Sequence, residues 1–66
     1  MKTFWLDGKL LTRDAAMHVW IAYGQSIGRE ESDLMAQWFS ALNQEQGEPE
    51  REQLLDAGLE ITYSRY

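Results

Sequence analysis

Asp7-Gly8 stands between two short apolar runs, Lys2-Thr-Phe-Trp-Leu6 and Lys9-Leu-Leu-Thr12, and this arrangement predicts a β-hairpin at the start of the chain. Gly tolerates positive φ without cost and Asp tolerates it better than most residues, so the pair favours a two-residue turn. In that register Leu6 faces Lys9, Trp5 faces Leu10 and Phe4 faces Leu11. Phe4, Leu6 and Leu11 then share one face of the sheet, and Trp5 and Leu10 share the other. A single sheet covered on one side would leave Trp5 and Leu10 partly exposed.

Thr12 is suited to cap a helix by accepting a bond from an early backbone N–H, and Asp14 complements the positive end of the helix dipole. A first helix is expected at about Arg13–Gln25. Its apolar residues Met17, Val19, Trp20, Ile21 and Tyr23 spread around most of the circumference. Val19, Trp20, Ile21 and Tyr23 also favour strands, so a strand over this segment is the alternative. Gly28 ends the element. Leu34, Met35, Trp38, Phe39 and Leu42 form one apolar stripe and define a second helix at about Glu30–Gln44, with Glu30, Asp33, Gln37 and Gln44 opposite. Gln44 to Pro49 reads as a polar hinge. Pro49 suits the first turn of a short helix, about Pro49–Ala57, anchored by Leu54 and Leu55, with Gly58 left-handed after its end. Leu59 to Ser64 alternates strictly, with Leu59, Ile61 and Tyr63 on one face. The expectation is one domain over residues 1–66, of α+β class: a three-stranded antiparallel sheet in the order ββαααβ, with two to three helices on one face.

A domain of 66 residues lies near the lower limit for folding without staples. With no cysteine, neither a disulfide nor a thiolate metal site can help. Three Trp, three Tyr and two Phe supply the apolar area instead, each able to bury roughly 150–250 Å². The longest apolar run, Ala15–Tyr23, is interrupted by His18 and falls short of the roughly 20 residues a membrane span requires. The first residues carry no signal-peptide pattern, and the chain reads as cytoplasmic.

Charge is distributed unevenly. Between Glu30 and Glu60 lie nine acids and one base, Arg51, a charge of −8, whereas residues 1–29 carry +2 and residues 61–66 carry +1. Such a field attracts basic surfaces and repels nucleic acid and anionic membrane. Lys2, Lys9 and Arg13 are too few to make the basic stripe of a nucleic-acid binder.

No pattern carries catalysis. His18, the only histidine, is flanked by Met17 and Val19 and has no neighbouring nucleophile or carboxylate. Ser26, Ser32, Ser40 and Ser64 lack an elbow motif. Glu48-Pro-Glu-Arg-Glu52 resembles an oxygen-ligand loop only superficially, because Gly47 precedes the acids and Arg51 lies among them; no metal or other cofactor is expected. Gly24 to Gly28 is followed by Arg29 and two glutamates, which would repel a phosphate.

The acidic stretch therefore reads in two ways. It can serve solubility alone. Alternatively its carboxylates form a ridge for a basic groove, occupying arginine and lysine sites that otherwise hold phosphates, since both are oxygen anions that accept charge-assisted hydrogen bonds. The candidate partner-binding residues are Glu30, Asp33, Glu45, Glu48, Glu50 and Glu52, with Trp5, Tyr63 or Tyr66 as aromatic anchors at the edge.

In its small size, acidity, lack of cysteine and single α+β domain, the chain resembles the small phage-encoded anti-CRISPR proteins of the DNA-mimic type. The resemblance covers the whole chain and rests on no motif. It implies a non-enzymatic inhibitor acting in the cytoplasm of a bacterial host on a basic nucleic-acid-binding protein such as a CRISPR effector subunit, without direct contact to nucleic acid or membrane, as monomer or homodimer. The alternative is a small regulatory or structural module that self-associates or pairs through apolar surface, including Trp5 and Leu10.

Overall fold

The computed structural model describes residues 2–63, the side chain of Tyr63 excepted. Strands β1 (Lys2–Leu6) and β2 (Lys9–Leu11) form the hairpin. They pair antiparallel with Phe4 opposite Leu11, Trp5 opposite Leu10 and Leu6 opposite Lys9. Asp7 and Gly8 both take positive φ, 49° and 87°, as a mirror-image hairpin turn requires. Strand β3 (Leu59–Tyr63) pairs antiparallel with β1 on its other side, so the sheet order is β2-β1-β3 and the hairpin's first strand is central. The class is α+β, with the element order ββαααβ.

Helix α1 runs Arg13–Ser26, and the strand alternative for this segment is not adopted. Thr12 Oγ1 accepts the Ala15 N–H at 3.1 Å, the expected cap. At the other end the Gly28 N–H reaches the Gln25 carbonyl (3.1 Å) and the Arg29 N–H reaches Gly24 O (2.9 Å). This pair of bonds is a Schellman closure, which satisfies carbonyls the helix itself leaves open. Helix α2 runs Glu31–Leu42 with Glu30 at its N-cap, and Lys2 Nζ donates to the Leu42 carbonyl at its negative end.

The short helix differs from the expected regular one. Helix α3 covers only Pro49–Gln53, and Leu54–Ala57 tightens into a 3₁₀ turn. With three residues per turn, Arg51, Leu54 and Ala57 fall on one side. Arg51 and Leu54 are buried, Ala57 is half-buried, and Leu55 turns outward at 52% exposure instead of anchoring. A similar shift occurs in α2. Its buried residues are Leu34, Trp38, Ala41 and Leu42, so the inward line is centred one position away from Met35 and Phe39, and Phe39 is 49% exposed.

Trp20, Trp38, Leu34, Leu54 and Leu59 are the largest fully buried side chains. Phe4, on the inner sheet face, stacks on Trp38 with ring centroids 5.8 Å apart. The Trp20 indole N–H donates to the Leu34 carbonyl at 3.0 Å, which pins α1 to the start of α2. On the outer sheet face Leu10 is 66% exposed and Trp5 half-buried, as the alternation predicts.

The two long helices meet at Gly24, where a Cβ would sit 2.1 Å from Leu34 Cδ2. In an open helix Gly→Ala gains about 1 kcal/mol. Here Gly24→Ala must instead displace a fully buried leucine, and is expected to destabilise by about 1–3 kcal/mol. A thermal melt should show Tm falling by at least about 4 °C; an unchanged or higher Tm would show that the helices are not held this closely.

Candidate acidic interface

The acids are displayed by an α2–α3 hairpin of helices. Gln44 lies against Glu50 and Arg51, while Gln37, further back along α2, bonds Gln53 at the end of α3, so the two helices run antiparallel. The turn between them is polar and largely exposed, as composition suggests, and it is clasped by its own side chains. The Glu45 N–H donates to Glu48 Oε2 (2.6 Å) while the Glu48 N–H returns to the Glu45 carbonyl (3.2 Å). Gln44 Oε1 accepts the Arg51 N–H (3.1 Å), one of the amides that a helix start leaves without a partner, and Gln44 Nε2 donates to Glu50 Oε2 (2.6 Å).

Arg51 is the residue that sequence reasoning missed. It is 9% exposed, and its guanidinium donates to Gln44 O (2.9 Å) and Ile61 O (2.7 Å), joining the end of α2 to β3. Its position three residues before Leu54 was the available signal, because a 3₁₀ continuation places both on the buried side.

The six candidate carboxylates separate into two groups. Glu45, Glu48, Glu50 and Glu52 gather on the turn and α3; Glu48 and Glu50 each use an oxygen to hold the turn, Glu45 and Glu52 are exposed, and Glu50 is half-buried. Glu30 and Asp33, both exposed, lie toward the far end of α2, about 18 and 14 Å from its C-terminal end by the helical rise. Between the groups lies a seam formed by Arg29, Gln37 and Gln53, joined side chain to side chain, with the Arg29 guanidinium 5.8 Å from the Trp20 ring centroid. The ridge is thus acidic at both ends with a partly neutralised middle, and the turn end carries the larger group.

Trp5 lies on the outer sheet face, with the sheet between it and the helical layer, so it does not border the α2–α3 surface. The side chain of Tyr63 and all of Tyr66 lie outside the described residues. His18 is exposed on α1. An open groove of about 720 Å³ beside the hairpin is lined by Lys2, Thr3, Phe4, Leu10, Leu11, Thr12 and Arg13, a lining without histidine or carboxylate. Among the described residues no three histidine or acidic side chains converge on a possible metal position, and no helix is long and apolar enough to cross a membrane. No family model, curated protein or solved structure matches the chain.

Arg51 closes this surface from beneath, which makes its contribution measurable. Arg51→Met removes the donors for one buried and one partly buried carbonyl and should cost about 2 kcal/mol or more in urea unfolding. Glu52→Gln, on the exposed side of the same helix, should stay within about 0.5 kcal/mol of the parent. Equal effects of the two substitutions would contradict the clasp.

Proposed function

We propose that the chain is a non-enzymatic inhibitor, an anti-CRISPR-like DNA mimic whose acidic α2–α3 surface occupies the nucleic-acid-binding site of a basic protein, such as a CRISPR effector subunit, in a bacterial cytoplasm. One observation carries this reading. Of the nine acids between Glu30 and Glu60, eight are exposed and Glu50 is half-buried, whereas the only base in that stretch, Arg51, is buried. The surface a partner meets is therefore more acidic than the composition of the segment.

The magnitudes fit a phosphate surrogate. Duplex DNA carries about ten charges over the roughly 18 Å length of α2. Seven acids from Glu30 to Glu52 flank the same length on α2, the turn and α3. Carboxylates accept the same charge-assisted bonds from arginine and lysine as phosphate oxygens do. The turn supplies a further requirement, since carboxylates held by Gln44 and by the Glu45 backbone have less freedom to lose on binding.

Affinity capture from bacterial lysate, with the eluate identified by mass spectrometry, tests the proposal. The expected result is one basic nucleic-acid-binding protein that leaves the column as salt rises from about 50 to 300 mM, because exposed charges are screened over that range. The side chains of Asp33, Glu45 and Glu52 form no hydrogen bond among the described residues, so a D33K/E45K/E52K variant should fold and lose that capture. Retention of the same protein by the triple variant would sink the acidic-surface reading, and salt-insensitive capture would favour pairing through apolar surface.

A further inference from the structure

We infer that the outer sheet face holds a receptor for a single arginine side chain of a protein partner, formed by the Trp5 indole and the Glu60 carboxylate. Trp5 and Glu60 are directly opposed in the β1–β3 register, which places their Cβ atoms about 5 Å apart on the same face. The indole does not stand free. Its N–H donates to Thr62 Oγ1 at 3.0 Å, one position along the face from Glu60, so the ring is laid diagonally over β3. The polar edge of the indole is thereby satisfied within the sheet, and what Trp5 offers to solvent is its π surface. Glu60 is exposed and its carboxylate has no hydrogen-bond or ion-pair partner among the described residues.

These features specify the occupant. The face consists of Thr3, Trp5, Leu10, Glu60 and Thr62, whose only charge is negative. A cation is attracted to the face of an indole, and arginine more often than lysine uses that contact because its planar guanidinium stacks. The same guanidinium, lying on the ring, has N–H groups in its own plane that can meet a carboxylate in a two-pronged bond. Ring and carboxylate side by side are the two elements such a group uses. A second copy of this chain is a poorer occupant. Three strands about 4.8 Å apart and three to five residues long offer on the order of 200 Å², against roughly 800 Å² per partner in a stable interface. The face is large enough for an anchoring side chain but too small for a dimer on its own. The receptor is independent of the α2–α3 surface, since the sheet lies between them.

The test is a titration of the ¹⁵N-labelled full chain with N-acetylarginine methylamide, followed by the indole N–H signals. Trp20 and Trp38 are 1% exposed and serve as internal controls. The expected result is a saturable shift of the Trp5 indole and the Glu60 backbone N–H in the ~10 mM range, as one exposed stacking contact plus one exposed ion pair allow. The lysine analogue should be weaker by about threefold or more. Glu60→Gln, a surface change that leaves the fold in place, should weaken the arginine response about threefold. The D33K/E45K/E52K variant should retain it in full, so failure here and failure of the DNA-mimic reading are separable. Non-saturating shifts spread over Glu45 to Glu52 would overturn the inference as general ion pairing. Equal responses to the arginine and lysine analogues, or an undiminished response in Glu60→Gln, would also overturn it. Shifts at Trp5 that depend on protein concentration without added probe would overturn it in favour of a second copy.

Discussion

The buried guanidinium of Arg51 is the interaction on which the remainder of the architecture depends. It reaches backward to the last residues of the α2 segment through Gln44 O and forward to β3 through Ile61 O, while its own backbone N–H is held by the Gln44 side chain. Burying a charge is costly unless hydrogen bonds replace the lost water. The planar fork of arginine can serve two separated carbonyls at once, which the single ammonium of lysine does less well. The acidic surface thus depends on the buried base, because the cation fixes the helix and turn that display the carboxylates.

The same partition holds for other bases. Lys2 is drawn to the carbonyl end of α2, and Arg29 is half-buried over Trp20 with Gln37 at its head. Lys2, Arg29 and Arg51 each have a local structural task, whereas Lys9 and Arg13 stay exposed on the hairpin and at the start of α1. Self-repulsion among acids destabilises any compact state. A fold of this size tolerates it because α2 places two of its acids, Glu31 and Asp33, in its first turn, where the dipole favours them, and because the core is concentrated in a few large side chains.

Local chemistry made much of this fold legible in the sequence. The Asp7-Gly8 turn, the hairpin register, the Thr12 cap and the left-handed Gly58 follow from what those residues do to their immediate backbone. What was not legible depends on contacts between distant segments. Gly24 looks like a weak point within α1 until Leu34 is seen against it. Leu55 and Phe39 look like anchors until a change of helical pitch and a one-position shift of the α2 stripe turn them outward. Gln44 to Pro49 reads as polar from its composition, which does not show the side chains that bond across it over six and seven positions. The acidic candidates were countable from sequence, but their division into two ends with Arg29, Gln37 and Gln53 between them was not, because that seam is made by tertiary contact.

Two surfaces of different character result from these two layers, and the physics of each sets what it can contribute. The α2–α3 surface is broad and charged, so its effect is long-range attraction, fast encounter and strong salt dependence. The outer sheet face is small, with one oriented indole beside one carboxylate, so its effect is short-range and directional. A ridge that attracts any basic groove has little means of discriminating among them, because like charges are interchangeable at the distance of a Debye length. Discrimination requires a group whose shape is read as well as its charge, and among the described residues the pairing of Trp5 with Glu60 across β1 and β3 is where this chain places an aromatic plane next to an unpaired acid. A protein engaged through both surfaces must reach around the edge of the sheet, across the narrow dimensions of a molecule 37 by 22 by 17 Å. That span is short enough for one partner with a concave basic surface, so the two proposals are compatible with a single target: under them the ridge sets the rate of encounter and the sheet face selects which target is held.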